Sequence, residues 1–506
     1  MAKTLNRNFR AHWVVAFLAM AFMSGCAHLQ APRDAASAIP EPALAKLREA
    51  QIPEDALGGV VLRQSDGRVL WQRQATRAMQ PASTIKVLTS IVALETLKPS
   101  YRPKTTLVTR AEQRGDTLRG DLALVGGGAD ELSVDALESM LRTLRAQGVR
   151  VIEGDLIVDR EFFQPPRPYE GVAPFDESPE FRYNVIPDAL MLGSNLNQLA
   201  IASDEKEVRV VFGPLMDGVQ FVSEMALVEK SCALWEDDWK IPRVDKLVSG
   251  EIRVALLGTF PKNCSIATEI NIIDRTDYVE RVTRALWKSL GGQWSGRARE
   301  GIAPTRSANA GDPPVRTVSN VDSRTLAEFN RDINKRSDNA MTRIAYLTMG
   351  ALASDATTKL EKSAPTAARA DAVVRAWLRE NGIDDAGLVI ENGSGLSRKE
   401  MIAPMTLAQT LRAAQKSKWA SEFMMSLPIV GIDGAMRNRL RDTPANEIGR
   451  MKTGGLRNVT SVAGYLPDAS GEPQVVVLFL NHDNARGAKG RAVLDELMKG
   501  FVGQGR

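Results

Sequence analysis

The chain has 506 residues, enough for two or three domains, and its 44% apolar and 25% charged residues are ordinary for soluble globular protein, which excludes disorder and collagen as global descriptions. Its 65 basic and 61 acidic residues leave a formal charge of +4 and no strong field of one sign, so nothing supports nucleic-acid binding. It holds only three histidines, His12, His28 and His482, so a Ser-His-Asp machine would have to rest on His482 alone.

Lys3, Arg7 and Arg10 give the chain a basic start, and an apolar run follows at 13–23. A spanning helix needs about 20 apolar residues, so this shorter run reads as an export signal into an oxidising compartment, the periplasm. The run closes on Met23-Ser24-Gly25-Cys26, which resembles the lipobox of bacterial lipoproteins, with Met23 in place of the usual leucine. Residues 1–26 are thus expected to be a signal peptide of lipoprotein type. Cys26 would carry a lipid anchor to the envelope membrane; ordinary cleavage near Ala27 is the alternative. Cys232 and Cys264 remain, an even pair that permits one disulfide or leaves two buried thiols, and the bridge is favoured.

Residues 27–42, rich in Ala, Pro and polar side chains, read as a linker. Two β-rich runs at 58–71 flank Ser65-Asp66-Gly67, a hairpin signal. A helix starting near Ser83 carries apolar residues at Ile85, Val87, Leu88, Ile91, Val92, Leu94 and Leu97, close to a 3.6 period, and ends before Pro99. Between 105 and 311 the texture becomes short β-rich segments, at 117–125, 152–158 and 208–212. This reads as a mostly β inserted region, with room for a smaller nested unit near 180–265. The turn-rich stretch 301–314 marks the return. Helices are expected at 322–335, 340–352, 367–380 and 405–415, then adjacent strands at 451–454, 461–466 and 475–480.

Three motifs fall along this order: Ser83-Thr84-Ile85-Lys86, Ser337-Asp338-Asn339 and Lys452-Thr453-Gly454. Ser83 stands at a helix start, where free N–H groups and the helix dipole favour negative charge. Lys86, one turn on, shares its face and can take the Ser83 proton if it is neutral. Ser337 offers a relay hydroxyl, Asp338 a spacer, and Asn339 an amide for a substrate carbonyl and for Lys86. Lys452 would be the cation that keeps Lys86 neutral, Thr453 a partner for a substrate carboxylate, and Gly454 and Gly455 a close approach to the ligand. The backbone N–H groups of Ser83 and Gly455 would form an oxyanion hole.

Spelling alone is weak evidence. Ser203-Asp204-Glu205-Lys206 repeats the first pattern and Ser307-Ala308-Asn309 the second, and each true motif has a bland reading as a cap or a surface turn. Only Lys452-Thr453-Gly454 is unique. The three together form the combination found in penicillin-binding proteins and class A β-lactamases, in which the identity of the acylating base is disputed.

More of the chain joins in. Leu124-Val-Gly-Gly-Gly-Ala-Asp130, Gly154-Asp-Leu-Ile-Val-Asp159, Asn392-Gly-Ser-Gly-Leu-Ser-Arg398, Leu427-Pro428 to Asp433-Gly434, and Lys452 to Tyr465 resemble the class C low-molecular-mass penicillin-binding proteins, the D-alanyl-D-alanine carboxypeptidase/endopeptidase family. That resemblance implies an α/β (α+β) fold: a penicillin-binding, serine β-lactamase-like transpeptidase domain of residues 43–104 plus 312–506, interrupted by the insertion at 105–311. It implies cleavage at D-alanine in peptidoglycan peptides through a Ser83 acyl-enzyme, β-lactams as acylating inhibitors, and neither cofactor nor metal. Three departures stand out: Gly455 replaces a usual hydroxyl residue, the aspartate of the Gly-Gly-Gly segment comes one place late, at Asp130, and a lipoprotein signal is unusual for the group. A β-lactamase or esterase on the same fold, and a catalytically silent cell-wall-binding homologue, are the rival readings.

Overall fold

The computed structural model describes residues 37–172, 178–307 and 309–503. The export signal, Cys26 and the linker up to residue 36 therefore lie outside the described residues.

Strands Leu57–Arg63 and Val69–Arg73 pair as an antiparallel hairpin, and Leu57–Arg63 also pairs with Pro473–Asn481 from near the other end of the chain. Val459–Pro467 and then Arg450–Leu456 complete one five-stranded antiparallel sheet, with Arg450–Leu456 at its edge. Successive strand residues face opposite sides. Val475, Val477 and Phe479 pack into one core with the helices Lys86–Leu97, Leu326–Lys335, Asn339–Leu352, Thr366–Glu380 and Pro404–Lys416. Val476, Leu478 and Leu480 face the second core, under the helices Glu41–Ala50 and Ala488–Val502. The sheet is therefore sandwiched between two helical layers, as expected of a mixed α/β fold.

Two of those helices go beyond the sequence reading. Glu41–Ala50 begins inside the stretch taken as linker, because proline is tolerated in a first helical turn, where its missing N–H has no partner to lose. Ala488–Val502 buries Val493, Leu494, Leu497 and Met498 at helical spacing, a period left unassigned from sequence.

Among the described residues the middle block holds four further sheets, of three to five strands, around its own core. It also contains two amphipathic helices, Val134–Ala146 capped by Ser133 and Arg275–Ser289 capped by Asp274, which the mostly β reading did not place. The expected strands at 117–125 and 152–158 are each split in two. Its first strand, Lys104–Thr109, pairs with Arg316–Asp322, which lies beyond the turn-rich segment at 301–314. Next to that exit, buried Asp130 accepts hydrogen bonds from Ser323 Oγ and Arg324 Nε, each at 2.6 Å. Cys232 and Cys264 form a disulfide, with Cα atoms 5.3 Å apart.

Candidate active site

The helix Lys86–Leu97 is buried along its first nine residues, which is why a largely apolar pattern suits it and why the one lysine in it is unusual. A single 3-10 turn, Ala82–Ile85, leads into it and carries Ser83, whose side chain is half-buried. Lys86 is fully buried, and its Nζ contacts Ser83 Oγ at 2.9 Å, Asn339 Oδ1 at 2.7 Å and the Ser394 carbonyl oxygen. The Asn339 amide is oriented by its other end: Nδ2 donates to the Tyr183 carbonyl at 2.8 Å, so Oδ1 must face Lys86.

This arrangement constrains where the lone pair of a neutral Lys86 amine can point. Asn339 Oδ1 and the Ser394 carbonyl can only accept, so they engage both N–H bonds of a neutral amine and leave its lone pair toward the Ser83 hydroxyl. Burial pushes Lys86 down to about 7, against the pull of Glu400 and Asp338 and with help from Arg343. Arg343 is thus one cation that favours the neutral amine, a role the sequence assigned to Lys452 alone. Lys452 is itself held well below the ordinary lysine range, by burial first and by Lys86 second.

Lys452 rises from the edge strand and donates to Ser337 Oγ at 2.8 Å and to the Thr453 carbonyl at 2.7 Å. Ser337 precedes the helix Asn339–Leu352 with φ of 60°, and Asp338, read as a spacer, caps that helix by accepting from Met341 N–H at 2.9 Å. Gly454 presses the strand onto the nucleophile turn: a Cβ there would stand 2.8 Å from Ser83 N and 2.9 Å from the Pro81 oxygen. Ser461 Oγ, across the ladder from Gly454, donates to that same Pro81 oxygen at 2.6 Å. Gly455 is exposed, with only the Val459 oxygen, at 4.0 Å, near where a Cβ would be. Thr453 is half-buried beside Lys452.

The site also uses residues to which the sequence reading gave no role. Glu400, fully buried, accepts backbone N–H bonds from Glu391, Asn392 and Gly393 on one carboxylate oxygen and from Gly395 on the other, at 2.6–3.1 Å. That clamp shapes the loop whose Ser394 carbonyl meets Lys86. Gly395, at φ +80°, lies so close to the nucleophile turn that a Cβ would strike the Ala82 oxygen at 1.9 Å. The stretch Asn392 to Arg398 stood out in the sequence, but nothing there tied Glu400 to Lys86, 314 places earlier.

The look-alike motifs lie elsewhere. Ser203 ends a strand and Lys206 belongs to the hairpin turn after it. Ser307 offers its carbonyl to Arg110, and Asn309 donates to Asp312. His482 accepts from Asn484 N–H and caps a 3-10 turn.

With this geometry in hand, comparison with known proteins is specific. The family model described as D-Ala-D-Ala carboxypeptidase 3 (S13) matches residues 43–500. The chain is 26% identical over 484 residues to the D-alanyl-D-alanine carboxypeptidase of Actinomadura sp. (strain R39), covering 90% of this chain and 81% of that one. It is 23% identical over 437 residues to the D-alanyl-D-alanine carboxypeptidase DacB of Haemophilus influenzae, covering 85% and 86%. The crystal structure of penicillin binding protein 4 (dacB) from Haemophilus influenzae superimposes with a TM-score of 0.73 at 20% identity, over 91% of this chain and 99% of that one. A structure of that relative complexed with a β-lactam gives 0.68 at 19% identity, over 90% and 98%. At such identity the structural likeness speaks to the fold.

Proposed function

The chain belongs to the D-Ala-D-Ala carboxypeptidase 3 (S13) family and is by that membership a serine-type D-Ala-D-Ala carboxypeptidase, a hydrolase; from this premise we propose that its chemistry runs through Ser83. Lys86, about half of it neutral at pH 7, takes the proton of the Ser83 hydroxyl as Oγ attacks the carbonyl carbon of the penultimate D-alanine. The backbone N–H groups of Ser83 and Gly455 receive the negative charge that develops on the carbonyl oxygen. As the tetrahedral species collapses, the C–N bond to the terminal D-alanine breaks, and Ser337 with Lys452 delivers a proton to the leaving amine. A water then attacks the ester, the acyl C–O bond breaks, and Ser83 recovers its proton. Asn339 orients Lys86 and the substrate peptide, and Thr453 with the open edge at Gly454 and Gly455 takes the terminal carboxylate.

The observation that carries this reading is the set of bonds from Lys86 Nζ to Ser83, Asn339 and Ser394. Residues 43–104 and 312–506 act as one catalytic domain interrupted by 105–311, a reading supported by the shared sheet of 57–73 and 450–481, with the strand Arg316–Asp322 of the later segment paired onto the interrupting block. Peptidoglycan stem peptides are the substrate, and the same acyl-enzyme serves carboxypeptidase and endopeptidase cleavage. β-Lactams acylate Ser83. The chain works in the periplasm, exported by residues 1–26 and held to the envelope through a lipid on Cys26; among the described residues no helix is long and apolar enough to cross a membrane.

The test is to incubate the full chain with fluorescent penicillin and with muropeptides. Ser83→Ala is expected to lose both the adduct and D-alanine release. Rapid turnover of penicillin would favour a β-lactamase, and no adduct with uncut muropeptides would defeat the peptidase reading.

A further inference from the structure

The catalytic cluster continues into the middle block. Asn339 Nδ2 is bonded to the Tyr183 carbonyl, and Arg182 Nη2 lies 3.4 Å from Asp338, so the segment around 182–183 is fastened to the second motif. That segment borders a groove of about 1020 Å³ lined by Glu180, Phe181, Tyr183, Gln198 and Trp239 and, from the other block, by Arg486. Its volume stands at the upper end of the range for ligand sites, about 300 to 1,000 Å³, so it has room for a ligand larger than one small molecule's minimum.

Its chemistry is selective. Phe181 and Tyr183 stack with ring centroids 6.4 Å apart and planes within 16°, and Trp239 stands 6.1 Å from Phe181. Tyr183 is 44% exposed, so the aromatic surface faces outward. Glu180, 2% exposed, accepts from Trp239 Nε1 at 2.9 Å with one carboxylate oxygen, while the other has no hydrogen-bond partner among the described residues. A buried acceptor left unpaired is costly, and an incoming O–H or N–H would satisfy it. Both signs of charge line the groove, with Arg182 already paired to Glu269 at 2.6 Å, so there is no one-signed field for a polyion. Flat aromatic faces beside a carboxylate acceptor suit a ligand with C–H faces and many hydroxyl or amide donors.

We propose that this groove binds the N-acetylated amino-sugar strand to which the stem peptide is attached, so that the enzyme recognises glycan and peptide together. The inference rests on the peptidase reading above, in which the substrate peptide is joined to such a strand.

The test compares, for the full chain, a soluble peptide ending in D-Ala-D-Ala with the same peptide on a disaccharide or longer glycan. Trp239→Ala and, as a shape-preserving second variant, Glu180→Gln should raise KM for the glycan-bearing substrate about tenfold while kcat, and kcat/KM for the bare peptide, stay within about twofold. Trp239→Phe, which keeps an aromatic face, should restore most of the loss. N-acetylglucosamine oligomers should quench wild-type tryptophan fluorescence and compete only with the glycan-bearing substrate. Equal KM values in wild type and both variants would overturn the proposal. So would a KM rise on sugar-free cross-linked peptides, which would assign the groove to peptide. A chain silent on every peptide but still bound by the sugar oligomer would defeat the peptidase reading and leave the groove assignment standing.

Discussion

Lys86 Nζ and Asn339 Oδ1, 253 positions apart in the chain, meet at 2.7 Å inside the protein. The contact fixes one N–H of the amine and, with the Ser394 carbonyl, directs its lone pair at Ser83. Because burial brings Lys86 to about 7, acylation by a β-lactam should rise with pH through a midpoint near 7 and fall about a hundredfold two units below it. The sign for stability follows. Between about 7 and 10.5 the unfolded lysine holds a proton that the folded one has released, so this group's contribution to stability rises with pH across that window. Lys86→Met should lose acylation and that part of the slope. Acylation rates and denaturant melts from pH 5 to 10 check both, and a flat rate profile would count against Lys86 as the base.

Glu400→Gln leaves one amide oxygen and an unwanted NH2 where a carboxylate now accepts four backbone N–H groups. The expected loss of stability is about 2–4 kcal/mol. Removing the negative charge that pulls Lys86 upward should also move the acylation midpoint to lower pH. Chemical denaturation and the pH profile read the two effects separately; an unmoved midpoint would deny the electrostatic link.

The two glycines after Thr453 should respond in opposite ways. Gly454→Ala forces a Cβ against Ser461 Oγ and the Ser83 backbone N, so acylation should drop by roughly 10²–10³, the scale for a spoiled oxyanion donor. Gly455→Ser meets open space and supplies a hydroxyl for the substrate carboxylate, worth up to about tenfold in kcat/KM. Melting temperatures should barely move for Gly455→Ser. Steady-state kinetics on a D-Ala-D-Ala peptide decide the pair.

The Cys232–Cys264 bridge closes a loop with a sequence separation of 32. Replacing both cysteines with alanine should reduce stability by about 3–4 kcal/mol, since the chain-entropy cost rises from about 3 for a 15-residue loop to about 4.7 for a 100-residue one. β-Lactam acylation at 25 °C should stay within twofold of wild type, because no catalytic contact involves either residue. Thermal melts with and without reductant provide the measurement.

The sequence was most legible where a local pattern is also the structural cause. The hairpin around Ser65-Asp66-Gly67, the apolar helix after Ser83 and the three late strands carry their own periodicity, and Ser83, Lys86, Ser337, Asn339 and Lys452 do come together. Glu400 was opaque because its role is to bind backbone N–H groups, which leave no trace in residue type. Arg343 was opaque for a related reason: a charge inside an apolar helix is identifiable as a perturber only after packing places it near Lys86. The helix Glu41–Ala50 was hidden by prolines that mark linkers and first helical turns equally well.

The strand Leu57–Arg63 lies between its hairpin mate and Pro473–Asn481, so the central sheet closes only when the last part of the chain is available. Such distant pairing meets its loop-closure entropy before any contact rewards it, and it slows folding. A growing or truncated chain therefore holds Ser83 without Lys452 opposite it. On the proposed mechanism, hydrolytic competence waits for the final strands, and a nascent chain would be silent until they arrive.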